Sequence, residues 1–70
     1  VVVDTRAGPW IVELRDQASP NAVGRLLTYR ELWLQDPGLP GPVTLYLITN
    51  ERLPDVDMIT RRLGITYEIV

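Results

Sequence analysis

The side chains of this chain able to carry chemistry are carboxylates, arginines and tyrosines, because its 70 residues include no cysteine and no histidine. That excludes disulfides, thiolate or imidazole metal sites, and nucleophilic Ser-His or Cys-His pairs. A metal would have to be held by carboxylates, carbonyls and water, the donor set of Mg²⁺, Mn²⁺ or Ca²⁺. Asp4 and Glu13 are the two carboxylates whose spacing suits such an ion. Pairing Thr5 with Trp10 across the four-residue turn Arg6-Ala7-Gly8-Pro9 predicts Asp4 opposite Ile11 and Val2 opposite Glu13. Asp4 and Glu13 then become diagonal neighbours, roughly 7–8 Å apart at Cβ, within reach of one hard cation. The competing reading is an alternating strand with one charged, solvated face.

A second group of polar residues lies on the segment that follows. At 100° per residue, Ala22, Val23, Leu26, Leu27, Tyr29, Trp33 and Leu34 fill one broad apolar arc of a helix. Arg30 falls inside that arc, and Arg25 borders it one turn before Tyr29. An arginine within an apolar arc snorkels outward, pairs with a carboxylate, or meets another chain.

These residues are positioned by alternating strands and helices. Val1–Thr5 is a β-branched run and Trp10–Arg15 alternates, with turn chemistry between them, which predicts a β-hairpin. Trp10, Val12 and Leu14 share a face with Val1 and Val3, and that apolar face is the expected core side. Ser19-Pro20 is a helix start, with Ser as N-cap and Pro at the first helical position, and the helix is expected over Pro20–Leu34. Gln35–Pro42 holds three prolines and two glycines and is a loop. Val43–Thr49 is apolar on both parities and fits a strand covered on both faces. Pro54–Leu63 is a second helix, with Asp55 and Asp57 at its start, Arg61 and Arg62 at its end, and Gly64 as C-cap. Ile65–Val70 is the last strand. The order β-β-α-β-α-β predicts an α/β (α+β) core with a mixed sheet and right-handed crossovers. Val12, Leu14, Leu26, Leu45, Leu47 and Ile59 are its expected core.

Composition sets the class. With 46% apolar and 23% charged residues the chain is that of a folded domain, one domain over residues 1–70. No apolar run reaches the roughly 18 residues of a membrane span, so no membrane partner and a cytoplasmic location are expected. The chain opens on Val1 inside a β-like run, which reads as part of a longer protein. A domain this small buries a modest core and gains from contact with other segments or chains, a homo-oligomer included. All seven basic residues are arginine, against nine acidic ones, for a net charge of −2. A polyanion would therefore have to be met by local clustering of arginines.

The stretch WIVELRDQASPNAVGRLLTYRELW resembles the core of the PD-(D/E)XK nucleases, the restriction-endonuclease-like group. Members commonly show an apolar strand ending in Glu-x-Lys, a short loop, a helix with Gln-Leu-x-x-Tyr, and a further apolar strand. This chain has Glu13-Leu14-Arg15 on the strand, Arg25-Leu26-Leu27-Thr28-Tyr29 on the helix, and VTLYLITN after it. The resemblance implies a restriction-endonuclease-like core lacking its opening helix. It implies Asp4 and Glu13 as ligands of Mg²⁺ or Mn²⁺, and a catalytic set of Glu13, Arg15, Arg25 and Tyr29 acting on a phosphodiester of nucleic acid.

The departures from that pattern carry their own implication. Arg15 stands at the lysine position and Arg25 at the glutamine position, and only Asp4 precedes Glu13 as an acid. Arginine keeps the positive charge, but its planar fork aims differently from an ammonium and gives up no proton. Two readings follow: a metal-dependent nuclease domain, or a nuclease-like fold without catalysis or cofactor that serves as an assembly module in a larger protein. A structural α/β domain with accidental similarity is the third.

Overall fold

The computed structural model describes residues 1–70. Six elements follow in chain order: β1 (Val2–Thr5), β2 (Gly8–Leu14), α1 (Pro20–Gln35), β3 (Thr44–Thr49), α2 (Pro54–Leu63) and β4 (Thr66–Ile69). The strands form one sheet in the order β1-β2-β3-β4. β1 is antiparallel to β2, whereas β2, β3 and β4 run parallel. This is the mixed α+β arrangement expected from the sequence, with β3 central.

The hairpin closes more tightly than expected. Thr5 pairs with Gly8, Asp4 with Pro9, Val3 with Trp10 and Val2 with Ile11. The turn is therefore the two residues Arg6-Ala7, and the register is shifted by two from the one expected. Two residues account for this. Gly8 adopts φ 115°, open to glycine without steric cost, and lets the chain re-enter the ladder at once. Pro9 faces Asp4 at a position between the hydrogen-bonded pairs. Val1 and Val12 exchange both their backbone bonds, at 2.9 and 2.7 Å, which fixes that alternation. A residue with no N–H is tolerated there.

Each crossover joins neighbouring parallel strands, and the right-handed rule lays both helices on one side of the sheet. Ile11, Leu45, Leu47 and Tyr67 from the strands meet Ala22, Val23 and Leu26 from α1 and Val56 from α2 in a single core. Leu26, Leu45 and Leu47 are buried, as expected. Val12 and Leu14 are not: they lie on the opposite face, Val12 half-buried and Leu14 61% exposed. The alternation of β2 is as read, but the covered face is the one bearing Ile11 and Glu13. Trp10, Val12 and Leu14 are the more apolar set, so a reading of β2 alone points to the wrong side. The choice is made by the crossover, a property of two strands and a helix together. Ile59 is half-buried and packs at the margin of the core.

β3 is likewise covered on one face only. Leu45, Leu47 and Thr49 are buried beneath the helices, while Tyr46 and Ile48 look the other way and are half-buried. Trp10 and Tyr46 stack there, with ring centroids 4.8 Å apart. Stacking recovers part of what burial would give two aromatic rings.

Helix α1 starts as its sequence requires: the Ser19 hydroxyl accepts from the Ala22 N–H at 3.3 Å, and Pro20 is the first helical residue. It outruns the sheet at its far end, leaving Leu32 60% and Leu34 54% exposed. Trp33 anchors the following loop through its indole N–H, which donates to the Pro40 carbonyl at 2.6 Å. In α2, Asp55 and Asp57 occupy the first turn, Arg61 and Arg62 the last, and Gly64 caps the end in the left-handed region at φ 71°.

Candidate functional site

Glu13 is the penultimate residue of β2, on the face that α1 crosses. Its carboxylate is 12% exposed, and both of its charged neighbours reach the same oxygen. Arg15, two residues on and therefore on the same side, donates Nε–H to Oε1 at 3.0 Å. Arg25 comes from the second turn of α1 and places its Nε 3.6 Å from that oxygen. One turn further along α1, Tyr29 accepts from Arg25 Nη2 at 2.9 Å, with the guanidinium carbon 5.8 Å from its ring centre. Glu13, Arg15, Arg25 and Tyr29 thus form one continuous cluster.

Its place in the fold is informative. The cluster lies at the carboxyl end of a strand that runs parallel to β3, just before α1 begins. A cleft of about 690 Å³ opens beside it, lined by Arg15, Asn21, Gly24, Arg25, Thr28 and Tyr29 among others. Arg15 and Arg25 retain 39% and 53% side-chain exposure, so their guanidinium groups face solvent while tethered to Glu13. One carboxylate and two arginines leave the cluster with a formal charge of +1.

Asp4 lies elsewhere. It is exposed and opposite Pro9, four residues before Glu13 along β2. At about 3.3 Å per residue the two carboxylates are roughly 13 Å apart, beyond what one cation can bridge. The expected Asp4–Glu13 metal pair is therefore not formed, because the two-residue turn moves Asp4 away from the end of β2 that carries Glu13. No group of three or more acidic side chains converges anywhere in the chain. As a test of fit to Mg²⁺ or Mn²⁺, the cluster offers Glu13 as one hard ligand and does not supply a complete set.

Arg30 is half-buried and forms no ion pair or hydrogen bond within the chain, so pairing with one of its own carboxylates, one of the three expected outcomes, does not occur. A second charged cluster went unread in the sequence. Arg52 Nη1 lies 2.6 Å from Asp57 Oδ1, and Arg61 Nη2 lies 3.3 Å from Asp57 Oδ2. Arg52 also sits 4.8 Å over the ring of Tyr67, whose hydroxyl donates to the Glu51 carbonyl and accepts from the Leu53 N–H. The Asp57–Arg61 spacing of four was a readable helical signal. The approach of Arg52 depends on the β3–α2 loop and was not.

The fold and cluster define a small α+β domain with an arginine-flanked carboxylate at the end of a parallel strand. No family model, no curated protein and no solved structure matches the chain. No helix is long and apolar enough to cross a membrane.

Proposed function

We propose that the chain is a nuclease-like domain of restriction-endonuclease-like type, acting on phosphodiester bonds of nucleic acid with Glu13 as its metal-binding carboxylate. The observation that carries this is the convergence of Glu13, Arg15, Arg25 and Tyr29, separated by up to 16 positions in sequence, into one solvent-facing cluster. Those are the residues that the resemblance to the PD-(D/E)XK group singles out. Arg15 offsets negative charge at a bound phosphate, and Arg25, steadied by Tyr29, supplies a second planar donor fork suited to phosphate oxygens. Glu13 holds both arginines through Oε1 and keeps Oε2 free of protein partners. A divalent ion would supply charge neutralisation and an activated water at such a site.

The test is cleavage of single- and double-stranded DNA and RNA with Mg²⁺ and with Mn²⁺, comparing the wild type with Glu13→Gln. Metal-dependent cleavage lost in Glu13→Gln supports the reading, and no cleavage with either ion refutes it. A second reading is an assembly module without catalysis, favoured by two specific features. Asp4 stands far from Glu13, and the apolar sheet face around Trp10, Val12, Leu14, Tyr46 and Ile48 has no covering layer in this chain.

A further inference from the structure

We propose that the outer edge of β1 pairs antiparallel with β1 of a second copy of the chain, joining two four-stranded sheets into one two-fold dimer. The proposal stands apart from whatever chemistry the Glu13 cluster performs. It starts from the hydrogen-bond phase of the hairpin. Val1 and Val12 exchange both backbone bonds, so Val1, Val3 and Thr5 are the positions bonded towards β2. Val2 and Asp4, opposite Ile11 and Pro9, therefore turn their N–H and C=O groups away from β2. β1 is the outermost strand, and these four groups meet no other strand.

The two edges of the sheet differ. At the β4 edge, Arg52 Nη2 donates to the Tyr67 carbonyl at 3.4 Å, and Glu68 adds a charge. The β1 edge has no such cover. Its sequence, Val-Val-Asp-Thr, holds no proline and no lysine, and its register against β2 is unbroken by a bulge. Those are the usual devices that keep a strand edge from recruiting another. Val1, Val2 and Val3 are 75%, 52% and 40% exposed, so apolar side chains flank the open backbone groups.

The occupant follows from self-complementarity. With Val3 set against its own counterpart, Val2 faces Asp4 and Val1 faces Thr5. The two Val2–Asp4 pairs then exchange four backbone bonds and use every outward group of both strands. A shift of two residues one way sets Asp4 directly against Asp4, where like charges repel. The opposite shift leaves Asp4 facing nothing within Val1–Thr5. Two-fold pairing consumes both β1 edges and leaves the guarded β4 edges outermost, so assembly closes at two copies. Five residues a side bury on the order of 1,000 Å² in total, the lower end of specific interfaces. The dimer is accordingly weak, with a Kd of about 10–100 μM.

The experiment is sedimentation equilibrium of the chain from about 5 μM to 1 mM, spanning that range, with amide exchange followed by NMR at both ends. The expected mass rises from 7.9 kDa towards twice that value. The Val2 and Asp4 amides should slow at high concentration, whereas the Val3 amide, bonded inside the hairpin, is protected throughout. Val2→Pro removes an outward N–H and no bond to β2, and should weaken association about tenfold or more. Asp4→Asn relieves two carboxylates standing diagonally, roughly 7–8 Å apart at Cβ, and should tighten association about twofold. Leu14→Glu, on the open sheet face away from this edge, is the control and should leave the Kd within about twofold. Circular dichroism checks the fold of each variant. A mass of 7.9 kDa throughout overturns the proposal, as does growth beyond twice that mass. A dimer in which the Val2 and Asp4 amides exchange freely overturns it without recourse to any variant. Association that survives Val2→Pro but fails in Leu14→Glu also overturns it, and assigns the contact to the open sheet face.

Discussion

Arg15 and Arg25 approach the same oxygen of Glu13, at 3.0 and 3.6 Å, one from the end of a strand and one from the helix above it. That shared atom ties the β2 terminus to α1 and sets the spacing of the two guanidinium groups. Neither pair is deeply buried, so the energetic yield is that of a partly screened network, about 1 kcal/mol or less per pair.

Glu13→Gln removes the shared charge at nearly constant volume. A modest loss of stability is expected, about 1 kcal/mol or less, because the exposed arginines re-hydrate once released. Any metal-dependent cleavage should vanish, since a hard anionic ligand is gone. Chemical denaturation and a cleavage assay read the two effects separately. A loss above about 3 kcal/mol would show that Glu13 serves the fold and not a site.

Arg15→Lys introduces the ammonium expected at this position under the proposed resemblance to the PD-(D/E)XK nucleases. If the domain cleaves phosphodiesters, the rate should hold or rise, because a compact, mobile donor replaces a fixed fork. Stability should move by no more than about 0.5 kcal/mol, as for other exposed pairs. A rate that falls more than about tenfold would mean that the bidentate fork itself is the working group.

The order of elements was legible because each carries local punctuation: Ser19-Pro20 before α1, Asp55 and Asp57 at the head of α2, and Gly64 after its end. Glu13, Arg15, Arg25 and Tyr29 were named as a set by the resemblance to the PD-(D/E)XK motifs, and strand and helix periodicities at i, i+2 and i, i+4 then put neighbouring members on common faces. What local pattern could not decide was anything needing two elements at once. The covered side of β2 depends on a crossover to β3, and the place of Asp4 depends on how tightly Gly8 lets the turn close. Both misreadings come from treating the hairpin as if its own alternation determined its surroundings.

Arg30→Ala probes the remaining charge in the α1 arc. Because Arg30 is half-buried and has no partner within the chain, its truncation should change stability by no more than about 0.5 kcal/mol, with any loss arising from packing of its aliphatic stem. Thermal unfolding at two salt concentrations separates the contributions. A strongly salt-dependent loss would reveal an ion pair.

The two faces of the sheet are expected to differ sharply in what a truncation costs. Leu47 is fully buried at the centre of β3, enclosed by the helices, whereas Leu14 on the opposite face is 61% exposed. Leu47→Ala should destabilise by about 2–5 kcal/mol, through lost transfer energy and the cavity left behind. Against the roughly 5–15 kcal/mol that holds a typical domain folded, such a loss is severe for a chain of this size. Leu14→Ala removes the same atoms from a site already in water, and should cost about 0.5 kcal/mol or less. Leu14→Glu extends the comparison, since an exposed position accepts a charge that a buried one would not. Denaturant midpoints of the three variants check the assignment directly, with m-values confirming an unchanged transition. If Leu14→Glu proves as damaging as Leu47→Ala, the face bearing Trp10, Val12 and Leu14 is covered in solution, and the binary reading of β2 would be restored.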